Sequence, residues 1–254
     1  MSGTEVGLSV VIPCFNERER LLRHVPEIVE YLKSCKMNFE VIVVDDGSRD
    51  DTATVAGELG RRFPMVRLIS YTPNRGKGGA VKAGMLEAKG KIVLFTDADQ
   101  STPISECGKM LAELERGACE VAIGSREIAG AKVEQGQVWY RELAAHVFTT
   151  GAKVLCLRGI ADTQCGFKAM TRAAAQRIFP QVTSASAIFD IEMLVVATKE
   201  GYRVAELPVR WVHDPDTRIP YDLRRMLGVW VELFRIRRAQ RIGWPVKAKT
   251  VVRE

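Results

Sequence analysis

Asp97, Ala98 and Asp99 follow directly on the apolar run Ile92-Val93-Leu94-Phe95-Thr96. Two carboxylates one small residue apart, at the exit of a stretch that reads as a buried strand, make a hard-oxygen site suited to a divalent cation carrying a diphosphate. That spacing suggests nucleotide-sugar chemistry. An isolated D-x-D also suits a turn whose carboxylates bond local backbone, so the surrounding elements have to decide between the two.

Those elements alternate. Leu8 to Ile12 reads as a strand stopped by Pro13, and a helical pattern follows from about Arg18 to Lys33. Phe39 to Val44 is a second strand running into Asp45-Asp46-Gly47-Ser48, after which Asp51-Thr52 can cap a helix reaching about Phe63. Val66 to Ser70 is a third strand, Asn74 to Gly79 a glycine-rich loop, Ala80 to Ala88 a helix, and Lys91 to Thr96 a fourth strand. Continuous β-branched runs separated by amphipathic helices predict a mostly parallel α/β sheet covered on both faces, with ligands at the carboxyl ends of its strands. Pro13, Asp45-Asp46 and Asp97-Ala98-Asp99 all fall at such ends and are expected to line one crevice.

The second half is less regular. Val121 to Ile123 reads as a strand leading to Gly124-Ser125-Arg126, Trp139 to Leu157 has a helical apolar pattern, and Asp190 to Glu200 reads as a helix. Val204 to Val212 is strand-like, with Pro208 pointing to a sheet edge. From Tyr221 to Arg241, Leu223, Leu227, Trp230 and Phe234 recur at helical spacing among six arginines, Arg224, Arg225, Arg235, Arg237, Arg238 and Arg241. This predicts a basic amphipathic helix that could lie on a bilayer surface. The expected division is a catalytic domain over residues 1–215 and a helical extension over 216–254.

With 254 residues, 46% hydrophobic and 27% charged, the composition is that of an ordinary globular protein. The six cysteines include no C-x-x-C pair and the N-terminus has no basic-then-apolar leader pattern, so reduced thiols and a cytoplasmic location are expected. No apolar stretch approaches the roughly 20 residues of a spanning helix. A net charge of +6 favours anionic partners. His24, His146 and His213 show no metal spacing. The Asn74 to Ala80 loop fits neither G-x-G-x-x-G nor G-x-x-x-x-G-K-[ST], which argues against dinucleotide and P-loop readings.

Val11-Ile12-Pro13-Cys14-Phe15-Asn16-Glu17, Val43-Val44-Asp45-Asp46-Gly47-Ser48, Asn74-Arg75-Gly76-Lys77-Gly78-Gly79-Ala80 and Asp97-Ala98-Asp99 occur in the order typical of family 2 glycosyltransferases. Asp162-Thr163-Gln164-Cys165-Gly166-Phe167-Lys168 and Phe189-Asp190-Ile191-Glu192 narrow the likeness to the dolichyl-phosphate β-glucosyltransferase branch of the polyprenyl-phosphate glycosyltransferases. The resemblance runs from about Leu8 to Arg238. It implies a GT-A fold, an inverting mechanism, a nucleoside-diphosphate sugar donor, Mg²⁺ or Mn²⁺, and a polyprenyl phosphate acceptor.

Site roles follow from the same resemblance. Pro13, Phe15, Glu17, Asp45, Asp46, Lys77, Asp97 and Ala98 correspond to nucleotide-binding positions, with Asp46 favoured for the base. Asp97 and Asp99 would hold the metal. Relatives often carry a polar ligand two residues after the second Asp, whereas here Gln100 follows at once and Ser101 takes the later position. Arg126, Arg141 and Arg218 match basic positions associated with the acceptor phosphate. A phosphate monoester, whose second pKa is about 6, needs no strong general base, so aligning the anion is the main task. Asp162 resembles a position near the reacting centre, catalytic or sugar-binding. Asp99 and Arg126 join it as candidate catalytic groups, and Gln164, Asp190, Glu192 and His213 as supporting ones.

The expected activity is transfer of a hexose, glucose favoured over mannose and UDP over GDP, to a polyprenyl phosphate at the inner face of a membrane. Peripheral attachment is expected, nucleic acid is not, and a homo-oligomer is left open. Transfer to a soluble acceptor, or a noncatalytic nucleotide-sugar-binding membrane scaffold, are the alternatives.

Overall fold

The computed structural model describes residues 6–134, 151, 155–213 and 223–252. The expected alternation is present as β1 (Leu8–Cys14), α1 (Arg18–Ser34), β2 (Phe39–Asp45), α2 (Thr52–Arg62), β3 (Val66–Ser70), α3 (Gly76–Glu87) and β4 (Ile92–Thr96). It continues through α4 (Cys107–Glu115), β5 (Val121–Ser125), β6 (Lys132–Glu134), β7 (Leu157–Arg158), β8 (Phe167–Thr171) and α5 (Arg172–Ile178). The remainder is α6 (Phe189–Lys199), β9 (Arg203–Pro208), β10 (Arg210–Val212), α7 (Leu223–Ala239), β11 (Val246–Lys247) and β12 (Lys249–Val252).

The main sheet has eight strands in the order β12-β9-β5-β8-β4-β1-β2-β3. Among the described strands of this sheet only β8 is antiparallel, against β4 on one side and β5 on the other. Within each apolar run the period-two pleat sorts residues between two cores. Val10, Ile12, Val41, Val43 and Leu94 pack with Leu21, Val25 and Ile28 of α1, while Val11, Ile42, Val44, Val93 and Phe95 pack with Val81 and Met85 of α3 and with α6. Helix α6 is buried from Phe189 to Ala197, all but its last two residues. Its contacts with α3 and α5 on one side and β7, β9 and β11 on the other explain why it lacks a polar face.

Several boundaries differ from the sequence reading for identifiable reasons. Pro13 continues β1 instead of ending it. Cys14 accepts from Asp46 on the β2 side, so alternation turns Pro13 towards β4, whose pairing with β1 ends at Val11. The missing N–H therefore falls where no ladder partner exists. Helix α3 begins at Gly76, not Ala80, because Gly78 N–H donates to the Ala185 carbonyl at 3.0 Å and that packing offsets glycine's poor helix propensity. At the start of α2, Asp50 accepts from both the backbone N–H and the hydroxyl of Thr52, while the Asp51 side chain makes no cap bond.

Pro208 closes β9, which is an interior strand between β5 and β12 and not a sheet edge. Part of the segment expected as an extension packs into the same core. Leu233 and Ile236 of α7 are buried, Gln240 donates to Glu192 at 2.8 Å, and β12 pairs with β9. Among the described residues no helix is long and apolar enough to cross a membrane. Most of the Trp139 to Leu157 pattern, together with Arg141 and Arg218, lies outside the described residues.

Candidate active site

The carboxyl ends of β1, β2, β4 and β5 gather the candidates, as the doubly covered sheet requires. At the end of β4, Lys77 Nζ meets Asp97 Oδ1 at 2.7 Å, and Asp99 Oδ1 accepts from Ser101 N–H at 2.9 Å. Burial, and then the neighbouring Asp97, push the Asp99 carboxyl above its ordinary value. Keeping Asp99 ionised is therefore costly without a cation. Burial by itself would push the Lys77 ammonium down, but Asp97, Asp190 and Asp99 outweigh it and hold Lys77 above the usual lysine value.

The other side of this cluster is equally charged. Lys168, fully buried on β8, donates to Asp190 Oδ1 at 2.5 Å and to the Cys165 carbonyl at 2.6 Å. Burial pushes Asp190 up, against the pull of Lys168 and then Lys77. Asp97, Lys77, Asp190 and Lys168 thus alternate in sign from the crevice into the core. Glu192, also expected as support, stands two residues further along α6 and accepts from Thr183 N–H, Ser184 N–H and Gln240. It holds the very strand of backbone on which the α3 glycines rest, since a Cβ on Gly78 would stand 2.3 Å from the Ser184 carbonyl.

Two donor-side residues are bound up in local structure. Asp45 accepts from Ser48 N–H at 3.1 Å and Ser70 Oγ at 2.9 Å, and Asp46 accepts from Arg75 N–H at 2.7 Å. Beside Asp46 the Tyr71 hydroxyl is buried without reaching hydrogen-bond geometry, and the Arg75 guanidinium covers the Tyr71 ring at 4.1 Å. Phe15 stands 42% exposed where β1 ends, and Glu17 pairs with Arg20 at the start of α1. Gln100 sits at φ 50° with its amide bonded to Thr96, the Asp97 carbonyl and Ile104 N–H. Its side chain is committed to the turn.

Arg126 and Asp162 form a forked pair, Nε to Oδ2 at 2.6 Å and Nη2 to Oδ1 at 2.9 Å. Backbone N–H groups of Arg126, Gln164 and Cys165 also donate to Asp162. Burial raises the Asp162 carboxyl, but Arg126 and these amides outweigh it and hold it below the ordinary range. A carboxylate with so many donors is a brace, poorly suited to take a proton. Trp211 on β10 lies 5.6 Å from the Arg126 guanidinium, with the His213 ring 5.7 Å beyond it. One loop unites the two halves: Asp162 holds Arg126, and a Cβ on Gly166 would stand 2.0 Å from Asp97 Oδ2.

Sequence reasoning passed over Lys168, Glu206 and Trp211 as site residues. The signal for the first two was a charged residue inside an apolar strand run, which is tolerated only when bonded.

Residues 9–179 match the family model "Glycosyl transferase family 2". The chain belongs to glycosyl transferase family 2. A relative from Dictyostelium discoideum, "Dolichyl-phosphate beta-glucosyltransferase", is 32% identical over 89% of this transferase and 76% of its own length. The human protein of that name is 37% identical over 80% and 67%, respectively. In fold, the transferase matches a mannosyltransferase from Pyrobaculum calidifontis, solved with GDP-Man and Mn²⁺, at TM-score 0.64 and 22% identity over 95% of this chain and 66% of that one. It also matches glucosyl-3-phosphoglycerate synthase from Mycobacterium tuberculosis, solved with Mn²⁺, UDP and glucosyl-3-phosphoglycerate, at TM-score 0.63 and 17% identity over 94% and 81%. These neighbours establish the GT-A architecture of the transferase.

Proposed function

We propose that this transferase moves glucose, with inversion, from UDP-glucose to a polyprenyl or dolichyl phosphate, giving a β-linked lipid-phosphate sugar. The observation that carries the reading is the Asp162 to Gly166 loop, which touches the Asp97 carboxylate at one end and braces Arg126 at the other. A site for a diphosphate and a site for a second anion are thereby held at a set separation. The names of the curated relatives supply the sugar and the acceptor class.

A divalent cation fits the donor set. Asp97 and Asp99 are hard oxygen ligands, and no cluster of three acidic, His or Cys groups occurs among the described residues, so diphosphate and water would complete the shell. When bound, Mg²⁺ or Mn²⁺ would neutralise charge on the departing nucleoside diphosphate. Phe15 offers a face to the base and Asp46 an acceptor, since both carboxylate oxygens of Asp45 already accept hydrogen bonds whereas Arg75 N–H takes Oδ1 of Asp46. Lys77 can share its charge between Asp97 and the diphosphate. Arg126, with Nη1 uncommitted among the described residues, receives the acceptor phosphate and aligns it for attack at the anomeric carbon; Asp162 sets its orientation. Arg141, Arg218 and His213 are proposed to complete this side.

Peripheral attachment at the cytoplasmic face of a membrane is part of the proposal. Val231 and Phe234 of α7 are 51% and 57% exposed beside the exposed Arg235 and Arg238, and Trp244 is 87% exposed. Apolar and basic side chains on one outer face suit an anionic bilayer.

The test is a panel of UDP- and GDP-sugars with Mg²⁺ or Mn²⁺, against polyprenyl phosphate in neutral or anionic vesicles and against soluble phosphate esters, read by mass of the product. Glucosyl-lipid from UDP-glucose, fastest in anionic vesicles, is expected. Product from GDP-mannose alone, or only on a soluble acceptor, refutes the assignment. Gly166→Ala gives an independent check on the loop. Its Cβ must push the Asp97 carboxylate aside, an overpacking cost of about 1–3 kcal/mol. Placed on the ligand geometry, that weakens Mn²⁺-dependent UDP binding by about tenfold or more in a calorimetric titration.

A further inference from the structure

We propose that Glu206 is a positioning residue for the acceptor: through the backbone of Ala161 and Asp162 it sets Asp162, and through Asp162 the plane of the Arg126 guanidinium. The inference rests on the reading of Arg126 as the acceptor-phosphate group.

Glu206 lies inside the sheet on β9, in register with Ile123 of β5 and Val252 of β12. It is 1% exposed, between the buried Ala205 and Leu207. Among the described residues no lysine or arginine pairs with it. Its partners are two consecutive amides: Oε1 accepts from Ala161 N–H at 3.1 Å and Asp162 N–H at 2.8 Å, and Oε2 from Ala161 N–H at 3.0 Å. An unpaired carboxylate buried in a sheet is an expensive way to gain stability, and an apolar side chain of similar volume would serve packing better. What the carboxylate adds is direction. It anchors the first amides of the loop whose next atoms are the Asp162 carboxylate, and that carboxylate accepts from Arg126 through Nε, Nη2 and N. With Nε and one Nη2 proton taken, the guanidinium plane is determined, and Nη1 with the second Nη2 proton is left for a ligand. Releasing Glu206 frees the loop, and the fork on Arg126 loses its reference.

Such a role predicts a selective defect, measurable on the purified full chain with UDP-glucose, Mn²⁺ and a short polyprenyl phosphate in detergent. Glu206→Ala should raise the acceptor KM about tenfold or more while leaving the donor KM within about twofold, because the amides it holds, Ala161 and Asp162, are at the Arg126 end of the loop and not at the Gly166 end beside Asp97. Val204→Ala, a cavity in the same strand, should lower Tm without moving the acceptor KM. Glu206→Gln keeps an oxygen able to accept from both amides and should recover most of the wild-type acceptor KM. Glu206→Asp keeps the charge but falls short of the amides, and should do worse than Gln. If Glu206→Ala does not fold, that ordering decides the matter. Equal shifts in both KM values, or Asp outperforming Gln, would overturn the proposal. Arg126→Lys serves as the reference: an unchanged acceptor KM there removes the acceptor-site reading itself and this inference with it, whereas a raised KM for Arg126→Lys beside an unchanged one for Glu206→Ala rejects this inference alone.

Discussion

Asp99→Asn should abolish metal-dependent transfer, with a loss in kcat of about a thousandfold or more, and should leave the protein no less stable. The two expectations have one cause. Burial and the nearby Asp97 hold the Asp99 carboxyl above its usual range, so its ionised form is strained in the metal-free protein. Asn retains the shape and the carbonyl that accepts from Ser101 N–H, but removes the charge. Metal-free Tm should therefore stay level or rise, the usual direction when a functional like-charge contact is relieved. Thermal melts with and without Mn²⁺ provide the check: the metal-induced rise in Tm should vanish in the variant. A variant that keeps both transfer and the Mn²⁺ response would show that the cation does not bind at Asp97 and Asp99.

Arg126→Ala carries the second large effect and acts on both function and folding. Acceptor turnover should fall by about a hundredfold to a thousandfold, because a planar, bidentate-capable cation is lost from beside the incoming phosphate. UDP binding should change little. Stability should fall by about 3–5 kcal/mol, the range for breaking a buried pair, reduced here to the extent that the Arg126, Gln164 and Cys165 amides still support Asp162. The pH dependence has a definite sign. Asp162 has a folded-state pKa below its unfolded value, so it adds stability above the ordinary carboxyl range, about pH 4, and loses it as pH falls through the folded value. Without Arg126 this contribution shrinks, so the variant, less stable near neutral pH, should lose less Tm than the wild type as pH falls below about 4. Tm profiles of the two proteins that run parallel down to pH 3 would argue that the fork contributes nothing to the folded state. Arg126→Lys, retaining charge without the fork, should fall between wild type and Ala on both measures.

Much of this site was legible in the residues alone. Asp97 and Asp99 could be placed because a continuous apolar run predicts a strand, and a parallel sheet brings strand ends to one edge. The alternation from β1 to β4, and the helices α1 and α2, followed from periodicity. Membership of family 2 was carried by motifs whose order in the chain is itself visible.

Tertiary contacts decided the remainder. β8, the one antiparallel strand, inserts between β4 and β5, and nothing in Phe167 to Thr171 states its direction or its neighbours. That insertion is what carries Asp162 to Arg126 and Gly166 to Asp97. Pro208 illustrates the same limit, since a proline marks a missing donor but not whether the neighbouring strand has already ended. Asp162 was singled out but not as the brace of Arg126, and Glu206 not at all, because a buried carboxylate declares only that it must be bonded, and Arg126 lies 36 residues from Asp162 as Asp162 lies 44 from Glu206. Sequence periodicity specified which residues face a core and which chemistry stands at the strand ends. Long-range packing alone specified which charges meet, because hydrogen-bond geometry depends on the register between distant segments and not on the order of residues within one.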